Sequence, residues 1–349
     1  KMLAFFYEGP GSLKLRETEV PKASEAGAVI KVNAASICGT DLRTYRFGSS
    51  KITGLPRIIG HEAVGTIVEL GGDVKGFKLG DRVQIAPAIG CGECPSCKKG
   101  RTNLCNNLKT IGFDFDGTFA EYMEIPAEAF EQDHVTLVPE NLKAIEAVLA
   151  EPIACVYNAQ EYLNIGSGDT VAIFGSGFIG TMHAELAYRK GASKVFLIEV
   201  NDTRIEAAKG IFPALIAINS AREDFRQIVL DNTDGEGVDV AIVACSVGPA
   251  QKNAMSIVAK AGRVSLFGGL PTESTGFIDS NIIHYKEVGV FGCHASTVAQ
   301  NRMVLKMMSE GKLDVSPFTK RTFPLREINE AFEAISSERI LKAILVPEE

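Results

Sequence analysis

The sequence predicts an α/β protein in two parts, a β-rich domain of short strands and a doubly wound parallel-sheet domain. Three observations predict this. Residues 1 to about 150 are rich in glycine, proline and β-branched residues. Short apolar runs recur there, such as Ala28-Val29-Ile30-Lys31-Val32 and Gly65-Thr66-Ile67-Val68-Glu69-Leu70, with Gly71-Gly72 and Leu79-Gly80-Asp81 as turns between them. That is the pattern of short strands. From Thr170 to about residue 290, the apolar runs 171–174, 195–198, 238–243 and 263–267 alternate with helical stretches. Near-continuous apolar strands separated by helices indicate a parallel sheet covered on both faces. The tail differs again, with helical patterns over 296–310 and around 326–337, then the strand-like run Lys342-Ala343-Ile344-Leu345-Val346.

The 349 residues suffice for two domains, and 46% hydrophobic with 23% charged residues is a globular balance. The formal net charge of -7 repels a phosphate backbone, which argues against a nucleic-acid partner. No apolar run reaches the ~18 residues of a membrane span, and the N-terminal apolar stretch is too short for a secretory signal. A cytoplasmic protein is expected. In a reducing compartment its eight cysteines bind metal or stay free rather than form disulfides.

Cys91, Cys94, Cys97 and Cys105 form C-x2-C-x2-C-x7-C. Thiolates this close can converge on one tetrahedral ion, and four of them leave no open position, as in a structural zinc site. Gly90, Gly92, Pro95 and Gly100 supply the turns. Free thiols and an iron–sulfur cluster are the competing readings. A closed site of this kind holds a loop and leaves no room for substrate.

A strand-like run at 171–174 leads into Gly175-Ser176-Gly177-Phe178-Ile179-Gly180 and then a helix through Tyr188. This is G-x-G-x-x-G in the strand–turn–helix context that gives it meaning. Gly175 allows the turn, Gly177 lets the backbone approach a pyrophosphate, and Gly180 lets helix and strand pack closely. The helix N-terminus then faces the phosphates with unpaired N–H groups. Glu199 ends the next strand, where a carboxylate accepts the adenosine ribose hydroxyls and repels a 2′-phosphate. NAD is favoured over NADP, although Arg204 could serve a 2′-phosphate.

Cys38-Gly39-Thr40-Asp41, Gly60-His61-Glu62 and Glu151-Pro152 are unremarkable separately. Residues 60–74, however, fit G-H-E-x2-G-x5-G-x2-V. Together with Phe77-Lys78-Leu79-Gly80-Asp81-Arg82-Val83, the cysteine lobe, Asp116-Gly117-Thr118-Phe119-Ala120-Glu121-Tyr122 and the glycine loop, they make the chain resemble the zinc-containing medium-chain alcohol dehydrogenases essentially end to end.

The resemblance implies a GroES-like catalytic domain, residues 1–152 and 293–349, with a Rossmann NAD-binding domain inserted at 153–292 and the active site in the cleft between them. It implies two zinc ions per chain. Cys38 and His61 ligate the catalytic zinc, Glu62 is a direct or exchangeable ligand, and Glu151 takes the remaining protein-ligand position. Glu-Pro at that position is similar to the polyol dehydrogenases. Cys155 is expected beside the nicotinamide rather than on a metal. Phe178, Ile179, Ser246, Phe267, Gly268 and Gly292 join Gly175, Gly177, Gly180, Glu199 and Arg204 as cofactor contacts. A homo-oligomer, dimer or tetramer, is implied as well.

An open zinc site acts as a Lewis acid on the substrate oxygen. Thr40 would hydrogen-bond that oxygen and start the proton's route to solvent. Many relatives read Cys-Gly-x-Asp-x-His, whereas this chain has Arg43, always charged and a poor acid–base group. The relay then ends in water or the nicotinamide ribose. Arg43 either attracts an anionic substrate together with Arg46 or is a solvated surface residue. Ile283-His284-Tyr285-Lys286-Glu287 is similar to sugar-alcohol and sugar-phosphate members; His284 and His294 read as structural.

The expected activity is NAD-dependent oxidation of a secondary alcohol, a polyol, sugar acid or sugar phosphate. The nearest rival is a threonine-dehydrogenase-like oxidation of an amino alcohol, whose members usually carry the relay histidine. A zinc-free enone reductase would leave Cys38, His61 and Glu151 without a task. A non-catalytic NAD-binding sensor is the rival from another class, and lost zinc ligands would favour it.

Overall fold

A computed structural model describes residues 1–271, 273–274 and 277–348. The chain divides into two units, Lys1–Ala154 with Ala295–Glu349, and Cys155–His294. The first crossing falls inside one continuous helix, Ala150–Leu163, rather than in a linker. None of the described helices is long and apolar enough to cross a membrane.

In the first unit, the β-branched run at 28–32 lies in the strand Ala28–Ser36. It pairs antiparallel with Glu62–Leu70 on one edge, and with Tyr122–Ile125 and Ile344–Val346 on the other. These belong to a seven-stranded sheet, while Met2–Gly9 pairs with Ser12–Thr18 and Arg57–Ile58 in a smaller one. The core between them contains Phe5, Tyr7, Ile30, Ile67 and Phe119, and also Phe323, Ile328, Phe332 and Leu345 from the end of the chain. Burying one such side chain contributes roughly 1.5–3 kcal/mol, so the tail is integral to this unit. It supplies the helices Val298–Ser309 and Ile328–Ser336 before the last strand.

Backbone packing between distant glycines fixes the approach to His61. Gly60 has φ +93°, a left-handed conformation that L side chains rarely adopt. Gly112 and Gly117 press against it: a Cβ on Gly117 would lie 2.1 Å from the Gly60 carbonyl oxygen. Gly117 donates its N–H to Ile58 and Thr118 donates to Gly60, at 2.7 and 3.1 Å. The Asp116-Gly117-Thr118-Phe119 motif is therefore a brace for the Gly60-His61-Glu62 turn.

The second unit is a six-stranded parallel sheet in the order Ile216–Asn219, Lys194–Glu199, Thr170–Phe174, Val238–Val243, Val258–Leu266, Gly289–Gly292. Chain order reverses between the third and fourth of these strands. Alternation explains the continuous apolar runs. Val171, Ile173, Val195, Leu197, Val240 and Ile242 pack into one core, while Ala172, Phe174, Phe196, Ile198, Ala241 and Val243 pack into another. Both faces are covered, so every position along the strand is apolar.

The brace gives a first prediction. Gly117→Ala forces the backbone off Gly60 and should lower unfolding free energy by about 1–3 kcal/mol in chemical denaturation. A midpoint equal to that of the parent chain would show that the contact is not constraining.

Candidate metal centres and cofactor loop

Cys38 precedes the helix Gly39–Phe47 and is its N-cap. Its N–H donates to Asp41 Oδ2 at 2.8 Å. The other oxygen of Asp41 stands 3.4 Å from His61 Nδ1 without forming an aligned hydrogen bond. Burial is the largest influence on His61 and works against its charge. The Asp41 carboxylate and Cys38 together outweigh it and hold the imidazole well above its ordinary pKa.

Glu62 begins its strand beside His61 and is completely buried. Its Oε2 accepts from Ser36 Oγ and pairs with Lys342 Nζ at 2.6 Å. Its Oε1 is buried without a hydrogen-bond partner. One ligand atom from each of Cys38, His61 and Glu62 lies within 4.8 Å of the others. A thiolate, an imidazole and a carboxylate are a donor set that zinc accepts. The unsatisfied buried oxygen gives the same indication, because such a group is costly unless something coordinates it. These residues fit a metal ion.

Glu151 is not one of this trio; it is buried in the first turn of the helix Ala150–Leu163. Burial is the strongest influence on Lys342 and opposes its charge, but Glu62, Cys38 and Glu151 outweigh burial and raise its pKa above the ordinary value. Thr40 is half-buried in the first turn after Cys38, while Arg43 and Arg46 are exposed further along the same helix.

Ligand atoms of Cys91, Cys94, Cys97 and Cys105 also lie within 4.8 Å of one another, and all eight cysteines are free of disulfides. Cys91 N and Asn107 N point at Cys105 Sγ, each at 3.2 Å. The Cys97 and Asn106 backbone N–H groups pull the Cys94 thiol down to about 6, whereas burial pushes Cys97 up to about 12. Four clustered sulfurs with such opposed tendencies need a cation to be thiolates together, and they fit a closed tetrahedral zinc site.

In the second unit, Gly177 caps the helix Phe178–Arg189. A Cβ on Gly180 would lie 1.8 Å from the Gly175 carbonyl oxygen, so the helix meets the loop only because that residue is glycine. Phe178 and Ile179 form the first turn of this helix. Gly175, Glu199, Ser246, Phe267 and Gly292 all lie at or just beyond the carboxyl ends of parallel strands. Gly268 packs on the Cys245 carbonyl beside Ser246, where a Cβ would come within 2.2 Å. Arg204 Nη1 stands 3.8 Å from Glu199 Oε2. Carboxyl strand ends next to a reversal of strand order are where open α/β sheets bind dinucleotides.

Lys342 and Ser36 are the residues at the first centre that the sequence reading passed over. A lone lysine heading an apolar strand run was the available signal, since lysine is almost never fully buried unless paired. Lys342→Met leaves Glu62 as a buried unpaired charge and should cost about 3–5 kcal/mol of stability. Glu62→Gln in the same chain should restore part of that loss. Additive losses in the double variant would contradict direct coupling.

Comparison with known proteins places these centres in a family. Residues 24–136 match the alcohol dehydrogenase GroES-like domain, and residues 179–310 match the zinc-binding dehydrogenase domain. The L-threonine 3-dehydrogenase of Pyrococcus horikoshii is 35% identical over 355 aligned positions that cover 99% of each chain. A zinc-binding dehydrogenase of Sinorhizobium meliloti 1021, solved with NADP, has a TM-score of 0.90 at 28% identity over 99% of both chains. The 2R,3R-butanediol dehydrogenase of Bacillus subtilis has a TM-score of 0.89 at 26% identity over 100% of both. The chain belongs to the zinc-containing medium-chain alcohol dehydrogenases, a family of GroES-like and Rossmann architecture whose members are oxidoreductases.

Proposed function

We propose that this chain oxidises a hydrophilic secondary alcohol, a polyol, sugar acid or sugar phosphate, to the ketone with NAD. The observation that carries this reading is the convergence of Cys38, His61 and Glu62, with Glu62 Oε1 buried and unsatisfied. These three residues hold the catalytic zinc, with Glu151 as the further protein group, and Cys91, Cys94, Cys97 and Cys105 hold a structural one. Zinc at the first centre supplies Lewis acidity that lowers the pKa of an alcohol. The glycine loop Gly175 to Gly180 would hold NAD, which would supply the hydride acceptor.

The chain's own residues handle orientation and the proton. Thr40 accepts the proton of the alcohol and passes it on. Asp41 holds the backbone of Cys38 and places its charge beside the His61 ring, so that two ligands share one neighbour. Lys342 fixes one oxygen of Glu62 and leaves the other free to coordinate. Arg43 cannot end a proton relay, because a guanidinium does not deprotonate; its exposed charge instead favours substrates with a carboxylate or phosphate. On the cofactor side, Glu199 accepts the adenosine ribose hydroxyls, with Phe178, Ile179, Arg204, Ser246, Phe267, Gly268 and Gly292 around the dinucleotide. A cytoplasmic homo-oligomer, dimer or tetramer, completes this reading.

A second reading, oxidation of the amino alcohol threonine, is supported by the 35% identity to an L-threonine 3-dehydrogenase across 99% of each chain. Arg43 also suits the carboxylate of that substrate. Assaying polyols, sugar acids, sugar phosphates and threonine with NAD and NADP separates the two. Preference for threonine would replace the first reading with the second. Cys38→Ser should abolish turnover while the chain keeps zinc at its four-cysteine centre; turnover in that variant would remove the basis for both. Arg43→Ala should raise KM for acidic or phosphorylated substrates about three- to fivefold, the scale of an exposed ion pair. An equal rise for neutral polyols would show that Arg43 does not read charge.

A further inference from the structure

Glu199 is held more completely than an acceptor waiting for a ligand needs to be. Its side chain is buried, and each oxygen has two donors. Oε2 accepts from Ser176 N and Ser176 Oγ, both at 3.0 Å. Oε1 accepts from Val200 N at 2.7 Å and Asn201 N at 3.3 Å. Three of these donors are backbone and independent of side-chain identity. The fourth is the hydroxyl of a fully buried serine in a variable position of G-x-G-x-x-G, where the glycine motif itself asks for no side chain. The same carboxylate faces Arg204, with Nη1 at 3.8 Å from Oε2. A second guanidinium nearby, Arg222, is paired through both terminal nitrogens with Asp202 at 2.6 Å, and Asn219 donates to Asp202 at 2.8 Å.

We propose that Ser176 is a positioning residue for cofactor selectivity, its hydroxyl locking the Glu199 carboxylate in the orientation that accepts a free 2′-hydroxyl and excludes a 2′-phosphate. A 2′-phosphate needs the carboxylate to turn away and a cation to face it. The Ser176 hydroxyl opposes the first change, and by keeping Glu199 in place it also keeps Arg204 facing a carboxylate. Without the hydroxyl, the carboxylate keeps three backbone donors and Oε2 only one of its two, so its hold on that side weakens and Arg204 can turn to a phosphate. This inference rests on Glu199 being the ribose acceptor.

The test is the ratio of NAD to NADP, read as dissociation constants by fluorescence titration and as KM in turnover. Ser176→Ala should shift the ratio toward NADP about tenfold, the scale of one hydrogen bond to a charged group. The change should fall on KM for the two cofactors rather than on kcat at saturation. Ser176→Thr, which keeps the hydroxyl, should retain the parent ratio, and Ser176→Val, of the same shape without it, should match Ser176→Ala. That pair decides the question if the alanine variant fails to fold. An unchanged ratio in the alanine and valine variants, or equal weakening of both cofactors, overturns the proposal. Glu199→Ala separates the two failures. If it leaves the ratio unchanged, the ribose reading is wrong. If it changes the ratio while the serine variants do not, only the role of Ser176 is wrong.

Discussion

A single buried ion pair organises the first unit. Glu62 and Lys342 lie 280 residues apart in sequence, and their side chains are 0% and 4% exposed. Two charges taken out of water are costly unless they meet each other in good geometry. Glu62 therefore requires Lys342, and Lys342 requires the last strand to lie against Ala28–Ser36, where Ile344 pairs with Ser36. Ser36 in turn donates to Glu62. The lysine also donates to the Ile37 carbonyl at 3.0 Å, one residue before Cys38. The pair thus closes the sheet and fixes the backbone on both sides of the first metal centre.

The two candidate metal centres follow opposite designs. The four-cysteine loop is built from local contacts, within fifteen residues, and its sulfurs are tuned by neighbouring backbone N–H groups. Four sulfurs fill a tetrahedral site and leave no open position. The first centre draws on residues far apart in the chain, with a helix N-terminus behind the thiol and a carboxylate behind the imidazole. Its Glu62 retains a buried atom without a partner. A closed set of ligands suits scaffolding, whereas an incomplete mixed set suits chemistry.

What the sequence made legible is what is local. Cys91 to Cys105 and Gly175 to Gly180 carry their meaning in spacing, and the apolar runs of the parallel sheet carry theirs in composition. The tail helices and the final strand fall within a few residues of their expected limits. Long-range partners were not legible. Lys342 heading the apolar run Ala343-Ile344-Leu345-Val346 hints at burial, but the carboxylate that draws it in belongs to another part of the chain. Gly112 gave no sign that it packs against Gly60. Glu151 entered the ligand set through resemblance alone, because no motif around Glu151-Pro152 announces a metal ligand.

The fold prepares two candidate metal centres of different character, one closed and one mixed. Zinc K-edge X-ray absorption on the protein with its metal content measured tests this most directly. Two zinc ions per chain are expected, with five sulfur ligands between them, four from Cys91, Cys94, Cys97 and Cys105 and one from Cys38, and with His61 nitrogen and Glu62 oxygen bound directly to the second ion. One zinc per chain with sulfur ligands alone would contradict it.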